Sequence, residues 1–491
     1  MKLTDEQQAV VNAPEPVLKV NAIAGSGKTT TLLEYAKQRQ QQRILYLSFN
    51  RSSADEMRRK CAAVDVKNIM VQTFHALAYH GANGRDYELI DDLGEWHIFD
   101  NYVKGEITEK KETLLLISWL IKDLMSFYLN SAHIYIDDGL LAYYKTETMP
   151  KPKVEIFLSL YADFILGTIK SILTQMKKRE VPAIHDLYLK MFHLSKPVLF
   201  YDIILIDEAQ DLSGVMLEVL KMQKASRIFV GDSFQQIYSF RYAINALEKI
   251  DCPEYLLTQT FRFGDSLAQE ISKRVNRGYS VLNDLDHFLQ IKGTDKKTEI
   301  VNFSRNEGQQ IAVISRSVLK LFSEVASYLP SRLNFYFEGG YESYGFMNAR
   351  VFSVFHLYKE NHDKISDHVI KRFSCFRKLK AFARTSQNRQ LLNICELVHI
   401  YQENLFDITQ EIKQRVVSKE EADIIFTTTH KSKGQEYQNV QMVKEDFITF
   451  EQLEKAVNKP DDFNPVKLKE EINIFYVAAT RAMDNIVLHK F

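Results

Sequence analysis

Along the first fifty residues, apolar runs of strand length alternate with a stretch of helical period. Pro16 to Val20 reads as a strand, a glycine-containing loop follows, a helix opens at Thr29, and Arg43 to Phe49 is a second strand. That order opens a βαβ unit and therefore predicts a parallel sheet. Over residues 86–195 the pattern changes: Ile117, Ile121, Leu124 and Tyr128 recur at helical spacing and strand signals are scarce. Strand patterns resume at Pro197 to Ile206 and Arg227 to Val230, each ending in a loop that carries carboxylates. A second cycle begins after residue 263. It predicts strands at Glu299 to Phe303, Ile311 to Ser315, Leu333 to Phe337, Ile424 to Thr428, Val440 to Lys444 and Ile486 to His489, with a mostly helical stretch at 345–415. Asn458 to Lys469, which contains Pro460 and Pro465, reads as an exposed loop. The expected fold class is α/β: two domains with parallel sheets, each interrupted by a helical insertion. The expected boundaries are 1–85 with 196–262 for the first domain and 86–195 for its insertion, then 263–344 with 416–491 for the second domain and 345–415 for its insertion.

Composition narrows the function classes. With 45% apolar residues over 491 positions, a disordered or fibrous chain is excluded. Lys plus Arg and Asp plus Glu are both 63, so a polyanion would have to be held by a local basic groove and not by the field of the whole molecule. Cys61, Cys252, Cys375 and Cys395 have no paired spacing for zinc or an iron–sulfur cluster and read as reduced thiols. No apolar run is long enough to cross a membrane, and the N-terminus resembles no signal peptide. The expectation is a soluble, intracellular, cytoplasmic protein without membrane association, lying on the nucleoid if bacterial.

Two segments carry phosphate chemistry. Ala22-Ile23-Ala24-Gly25-Ser26-Gly27-Lys28-Thr29 follows a strand and opens a helix. Small residues there let backbone N–H groups turn around phosphates, Lys28 reaches the terminal phosphates and the Thr29 hydroxyl is a Mg²⁺ ligand. The run Tyr201 to Ile206 delivers Asp207 and Glu208 at a strand's carboxyl end. Asp207 is the candidate second metal residue, acting through water, and Glu208 the candidate for polarising an attacking water.

Nine segments then fall in a telling order: LTDEQQAV (3–10), AIAGSGKT (22–29), LSFNRSSADEM (47–57), VQTFHALAY (71–79), IDEAQD (206–211), VGDSFQQIYSFR (230–241), LTQTFRFG (257–264), TTTHKSKGQEY (427–437) and FYVAATRA (475–482). Together they resemble the motif series of UvrD/Rep-type superfamily 1 helicases. With GGYESYGF at 339–346, the series looks closest to the helicase core of the eukaryotic F-box DNA helicases, and neither an F-box ahead of it nor a RecB-type nuclease domain behind it is expected. The resemblance implies two RecA-like domains with ATP between them. It implies that Gln7 reads the adenine edge, that Phe261 stacks on the base, and that Thr30 and Glu436 lie near adenine and ribose. Arg262 and Arg481 would be arginine fingers and Gln235 a sensor of the γ-phosphate. Planar, permanently charged guanidinium groups suit developing phosphoryl charge.

The same resemblance implies that Phe49, Thr73, His75, Tyr238, Phe240, Arg241, Arg316 and His430 contact single-stranded DNA, by stacking and phosphate contacts that ignore sequence. The chain departs from the family where Thr30 stands for an Arg, Tyr242 for a Gly, and Ile472-Asn473 for an Arg pair. The segment 371–384 has six cations and no acid, interleaved with Phe373, Phe376 and Phe382. It predicts an amphipathic helix whose basic side suits duplex phosphates as well as plain solvation. The implied activity is that of an ATP- and Mg²⁺-dependent DNA helicase or translocase moving 3′→5′, with single strands and single-strand/duplex junctions as its DNA. The alternative is an ATP-gated DNA-binding subunit or recombinase-stripping translocase, partnered by a nuclease or recombination protein in a repair or anti-phage system.

Overall fold

The computed structural model describes residues 2–302, 308–347, 349–386, 388–459 and 464–488. Contacts divide the chain into a first unit, residues 1–261 with 460–470, and a second, residues 262–459 with 471–491.

The first unit is built on six strands, β1 (Val17–Ala22), β2 (Ile44–Ser48), β3 (Ile69–Thr73), β4 (Ile203–Ile206), β5 (Ser226–Gly231) and β6 (Glu254–Leu257). They lie in the order β3-β2-β4-β5-β1-β6, and every pairing is parallel. Because side chains alternate across a strand, the inner strands feed two cores. Leu18, Val20, Tyr46, Leu205 and Ile228 pack in one, and Leu45, Leu47, Ile204, Ile206 and Phe229 in the other. Burial on both faces is why β2 and β4 are apolar at nearly every position. The expected strand from Pro197 is shorter than its apolar composition suggests. Val198 and Phe200 are 67% and 75% exposed, and pairing begins only at Ile203, after the Asp202 carboxylate has accepted the Arg43 N–H.

The second unit repeats the scheme with β7 (Glu299–Ile300), β8 (Ile311–Ser315), β9 (Phe335–Phe337), β10 (Ile424–Thr428), β11 (Tyr437–Met442) and β12 (Ala482–Val487), in the order β7-β12-β11-β8-β10-β9 and again all parallel. The central strands β8 and β10 match their predicted bounds and are buried throughout. Edges differ more. The strand predicted from Leu333 starts at Phe335, and β12 starts at Ala482, ahead of its predicted Ile486. Phe303 and His489, the ends of two predicted strands, lie outside the described residues. Of the loop expected over Asn458 to Lys469, residues 460–463 lie outside the described residues, and the part from Pro465 is corrected: Pro465 opens the helix Pro465–Ala479, since proline's fixed φ suits a first helical turn where its missing N–H costs nothing. The basic segment forms a helix only over Phe376–Thr385, preceded by a 3₁₀ turn at Ile370–Arg372. Lys380 is paired with Glu396 at 3.0 Å, while Arg377, Lys378 and Arg384 remain exposed on one side.

Between β3 and β4 the chain is mainly helical, the longest helix being Lys111–Asn130. Its C-terminal turn is tied to the helix His185–Leu194 by Lys190, which is 1% exposed. The ammonium donates to the carbonyls of Ser131 (2.8 Å) and His133 and sits 4.3 Å from the centre of the Tyr128 ring. Burial pulls this ammonium down to about 7 from 10.5. Among the described residues no single helix is long and apolar enough to cross a membrane, and the four cysteines are free thiols.

The Lys190 site makes stability depend on pH. Below about 7 the ammonium is charged in both folded and unfolded states, and the full cost of burying the charge is carried; above 10.5 it is neutral in both and that cost is gone. Stability should therefore climb between these limits by a few kcal/mol, since each tenfold change in proton affinity on folding is worth ~1.4 kcal/mol. Urea unfolding of the wild type and of Lys190→Met at pH 7 and pH 10 measures this. The wild type should gain on the Met variant as pH rises, and a constant difference would contradict the assignment.

Candidate functional site

In the first unit, most predicted residues between Ala22 and Phe261 lie at or just beyond the carboxyl end of a parallel strand. The loop Ile23–Gly27 follows β1, Phe49 follows β2, Thr73 ends β3, Asp207 and Glu208 follow β4, Asp232–Gln235 follows β5, and Phe261 lies beyond β6. Partial positive charge from helix N-termini collects along such an edge.

The loop after β1 is pinned from both sides. The Thr260 hydroxyl donates to the Ala24 carbonyl (2.8 Å), the Phe261 N–H to the Gly25 carbonyl (2.8 Å), and the Gln7 amide to the Ser26 carbonyl (3.1 Å). Gly27 caps the helix Lys28–Lys37 at φ +81°, a conformation that favours glycine. A Cβ there would also stand 2.8 Å from the Gln7 amide nitrogen. Gln7 is itself buried, its amide oxygen accepting the Thr4 N–H, and the Phe261 ring lies just beyond it, 3.8 Å from the same Cβ position. Lys28 folds back over the loop to the carbonyls of Ala22 (3.1 Å) and Ile23 (3.4 Å). Thr29 and Thr30 occupy the first helical turn, half-buried.

Asp207 is 6% exposed. Its carboxylate accepts the Tyr46 hydroxyl and the Glu208 N–H (3.0 Å). Burial and then the neighbouring Glu208 charge raise it to about 6, against the lowering effect of Tyr46 and Lys28. Glu208 takes φ +54°, which turns the chain sharply at the end of β4. From Glu208 runs a chain of hydrogen bonds that sequence reading did not assemble. The Gln210 amide donates to the Glu208 carboxylate and accepts the Asp232 N–H (3.0 Å), and the Asp232 carboxylate accepts the Gln235 amide (2.7 Å). Tyr46, Gln210 and Asp232 are thus site residues not singled out beforehand. The available signals were a polar tip in an otherwise apolar strand and two polar residues inside motifs already recognised.

Three residues beyond Gln235 the aromatic segment begins. Tyr238 stacks on Phe49, with centroids 5.8 Å apart and planes at 20°, and meets Phe240 edge-on at 5.9 Å. Arg241 lies 5.6 and 5.7 Å from the centres of these two rings, and Phe240 is 61% exposed. Thr73 caps the helix Phe74–Gly81 by accepting the Ala76 N–H (3.1 Å). His75 Nδ1 is 3.0 Å from the Tyr188 hydroxyl, and burial holds the imidazole below its ordinary value, so at neutral pH it is uncharged.

In the second unit the predicted residues separate onto opposite edges of the sheet. Arg316 and His430 follow the carboxyl ends of β8 and β10, whereas Glu436 and Arg481 precede the amino ends of β11 and β12. Arg262 joins the latter pair, donating to the Glu436 carboxylate (2.9 Å) and the Thr480 carbonyl (2.8 Å). Arg481 is 1% exposed, its guanidinium donating to Val477 O (2.9 Å), Gln435 O (3.1 Å) and Thr480 Oγ1 (3.1 Å). Arg316 is held by both oxygens of Glu471, with Nε at 2.9 Å, so its charge is balanced within this unit.

Residues 3–250 match the UvrD/REP helicase N-terminal domain, and residues 216–491 match the UvrD-like helicase C-terminal domain. Over 98% of its length the chain is 27% identical to F-box DNA helicase 1 of Gallus gallus, covering 48% of that protein. It is also 27% identical over 99% of its length to F-box DNA helicase protein 1 of Schizosaccharomyces pombe, covering 57% of it. DNA helicase II of Escherichia coli K12 is 25% identical over 49% of this chain and 35% of its own. The chain thus spans about half the length of the F-box relatives it matches. With two domain matches that each take in at least half of its residues and follow one another along the chain, this protein belongs to the UvrD/Rep family of DNA helicases.

Proposed function

We propose that the chain is a DNA-dependent ATPase that moves 3′→5′ along single-stranded DNA and separates strands at single-strand/duplex junctions. The observation that carries this reading is the continuity of one segment. The hydrogen-bond chain Glu208–Gln210–Asp232–Gln235 ends three residues before Tyr238, whose ring stacks on Phe49. A change at the nucleotide phosphates thus has a short path of bonds to an aromatic platform suited to bases. The expected domain boundaries, with the helical stretches 86–195 and 345–415 as insertions, form part of this reading, as does an intracellular, cytoplasmic setting.

ATP would be held by the loop Ala22–Thr29 and Lys28, with Gln7, Thr30, Phe261 and Glu436 about the nucleoside. The residues fit Mg²⁺: the Thr29 hydroxyl and the Asp207 carboxylate are hard oxygen donors, and two adjacent carboxylates in a corner that raises Asp207 to about 6 favour a cation. When bound, the ion would neutralise charge on the phosphates. Glu208, oriented by the Gln210 amide, would take the proton of the attacking water. Arg262 and Arg481 would steady the developing γ-phosphate charge, and Gln235 would sense its presence.

Three outcomes test this reading. Lys28→Ala should abolish DNA-stimulated hydrolysis, while Glu208→Gln should bind a fluorescent ATP analogue normally yet turn over at least ~10²-fold more slowly. Near-normal turnover would remove Glu208 as the base. ATPase activity should rise strongly with oligo-deoxythymidine and lose that response in Phe240→Ala, and unwinding of a forked duplex by the protein alone separates the helicase reading from a gated binding subunit. For the arginines, Arg262→Ala should keep ATP affinity within about tenfold and lose ~10³-fold in single-turnover hydrolysis. Arg481→Ala should do the same and also lower the melting temperature, because it strands buried acceptors at ~1–3 kcal/mol each. If melting falls and hydrolysis survives, Arg481 is structural.

A further inference from the structure

Tyr242 closes the turn that carries Phe240 and Arg241, and it does so at φ +57° and ψ 27°, the left-handed region. For a bulky side chain that conformation costs roughly 1–2 kcal/mol. The contacts of its side chain offset that cost. The Tyr242 hydroxyl donates to the Asp123 carboxylate (2.7 Å) and lies 3.1 Å from the Asp123 carbonyl. The other carboxylate oxygen of Asp123 accepts the Tyr144 hydroxyl. Phe127 meets Tyr242 and Tyr144 edge-on, with centroids at 5.3 and 5.2 Å. Asp123 and Phe127 belong to the helix Lys111–Asn130, and Tyr144 to the helix Asp138–Thr148. At the other end of the turn, the Ser239 N–H and hydroxyl both donate to Glu470. The turn is therefore clamped at Ser239 and Tyr242, with exposed Phe240 and Arg241 between the clamps.

We propose that Asp123, Tyr144 and Tyr242 are a positioning cluster through which the helical segment between β3 and β4 fixes the Tyr238–Arg241 turn and so sets the affinity for single-stranded DNA. The inference rests on the reading of that turn as the base-stacking site. Holding the backbone in place before DNA arrives removes part of the ordering cost of binding, whereas a turn released from Asp123 would have to be ordered at each encounter. None of the three residues needs to touch DNA.

Anisotropy with labelled oligo-deoxythymidine, beside DNA-titrated ATPase rates, tests it. Tyr242→Phe keeps the ring and removes the hydroxyl. It should weaken DNA binding by ~10-fold, the scale of a lost buried hydrogen bond to a carboxylate. It should raise the DNA concentration for half-maximal ATPase while leaving the rate at saturating DNA unchanged. Asp123→Asn should act in the same direction, and Tyr242→Gly, although it relieves the backbone, should also bind more weakly. In a Phe240→Ala background, Tyr242→Phe should add less than ~2-fold, because its effect passes through the platform already removed. Wild-type binding by Tyr242→Phe beside a weakened Phe240→Ala overturns the positioning role alone, as does an equal loss in both backgrounds. Wild-type binding by Phe240→Ala removes the stacking reading and this inference with it.

Discussion

Parallel pairing of all six strands, β1 to β6, is the constraint on which the rest of the first unit depends. Parallel strands end on one edge of the sheet, so loops far apart in sequence emerge side by side. The order β3-β2-β4-β5-β1-β6 sets the phosphate loop and Phe261 towards one end of that edge and Phe49 and Thr73 towards the other, with the two carboxylate-bearing turns in the middle. The segment after β5 then has only a few residues to run from the phosphate end to the aromatic end.

That placement is costly locally, and the surrounding hydrogen bonds make it tenable. Glu208 and Tyr242 both hold positive φ, and both have side chains engaged by neighbours, Gln210 in one case and Asp123 in the other. Asp207 and Asp232 are buried carboxylates that accept hydroxyl and amide donors.

The second unit uses the same topology differently. Its residues with DNA affinity in the family pattern stand at carboxyl ends of strands, and those with nucleotide affinity stand at amino ends. Arg262, Glu436, Thr480 and Arg481 form one hydrogen-bonded cluster inside this unit, so neither guanidinium is idle there.

The order and chemistry of the motifs are properties of the sequence itself. The strand–loop–helix at Val17–Lys37 and the buried strands β8 and β10 were legible because apolar runs bounded by glycine or carboxylates have few alternative conformations. The ends of several strands, the start of the helix at Pro465 and the break before Ile203 were not, since they turn on which backbone groups find partners and composition does not encode that. Packing alone decided the rest. Tyr46, Gln210 and Asp232 became site residues, Arg481 became fully buried, and Tyr242, which reads as a mere departure from a glycine pattern, became the anchor of the aromatic turn. Each of them has at least one partner about twenty to more than a hundred residues away in the chain, and only the folded structure brings such groups within hydrogen-bond distance.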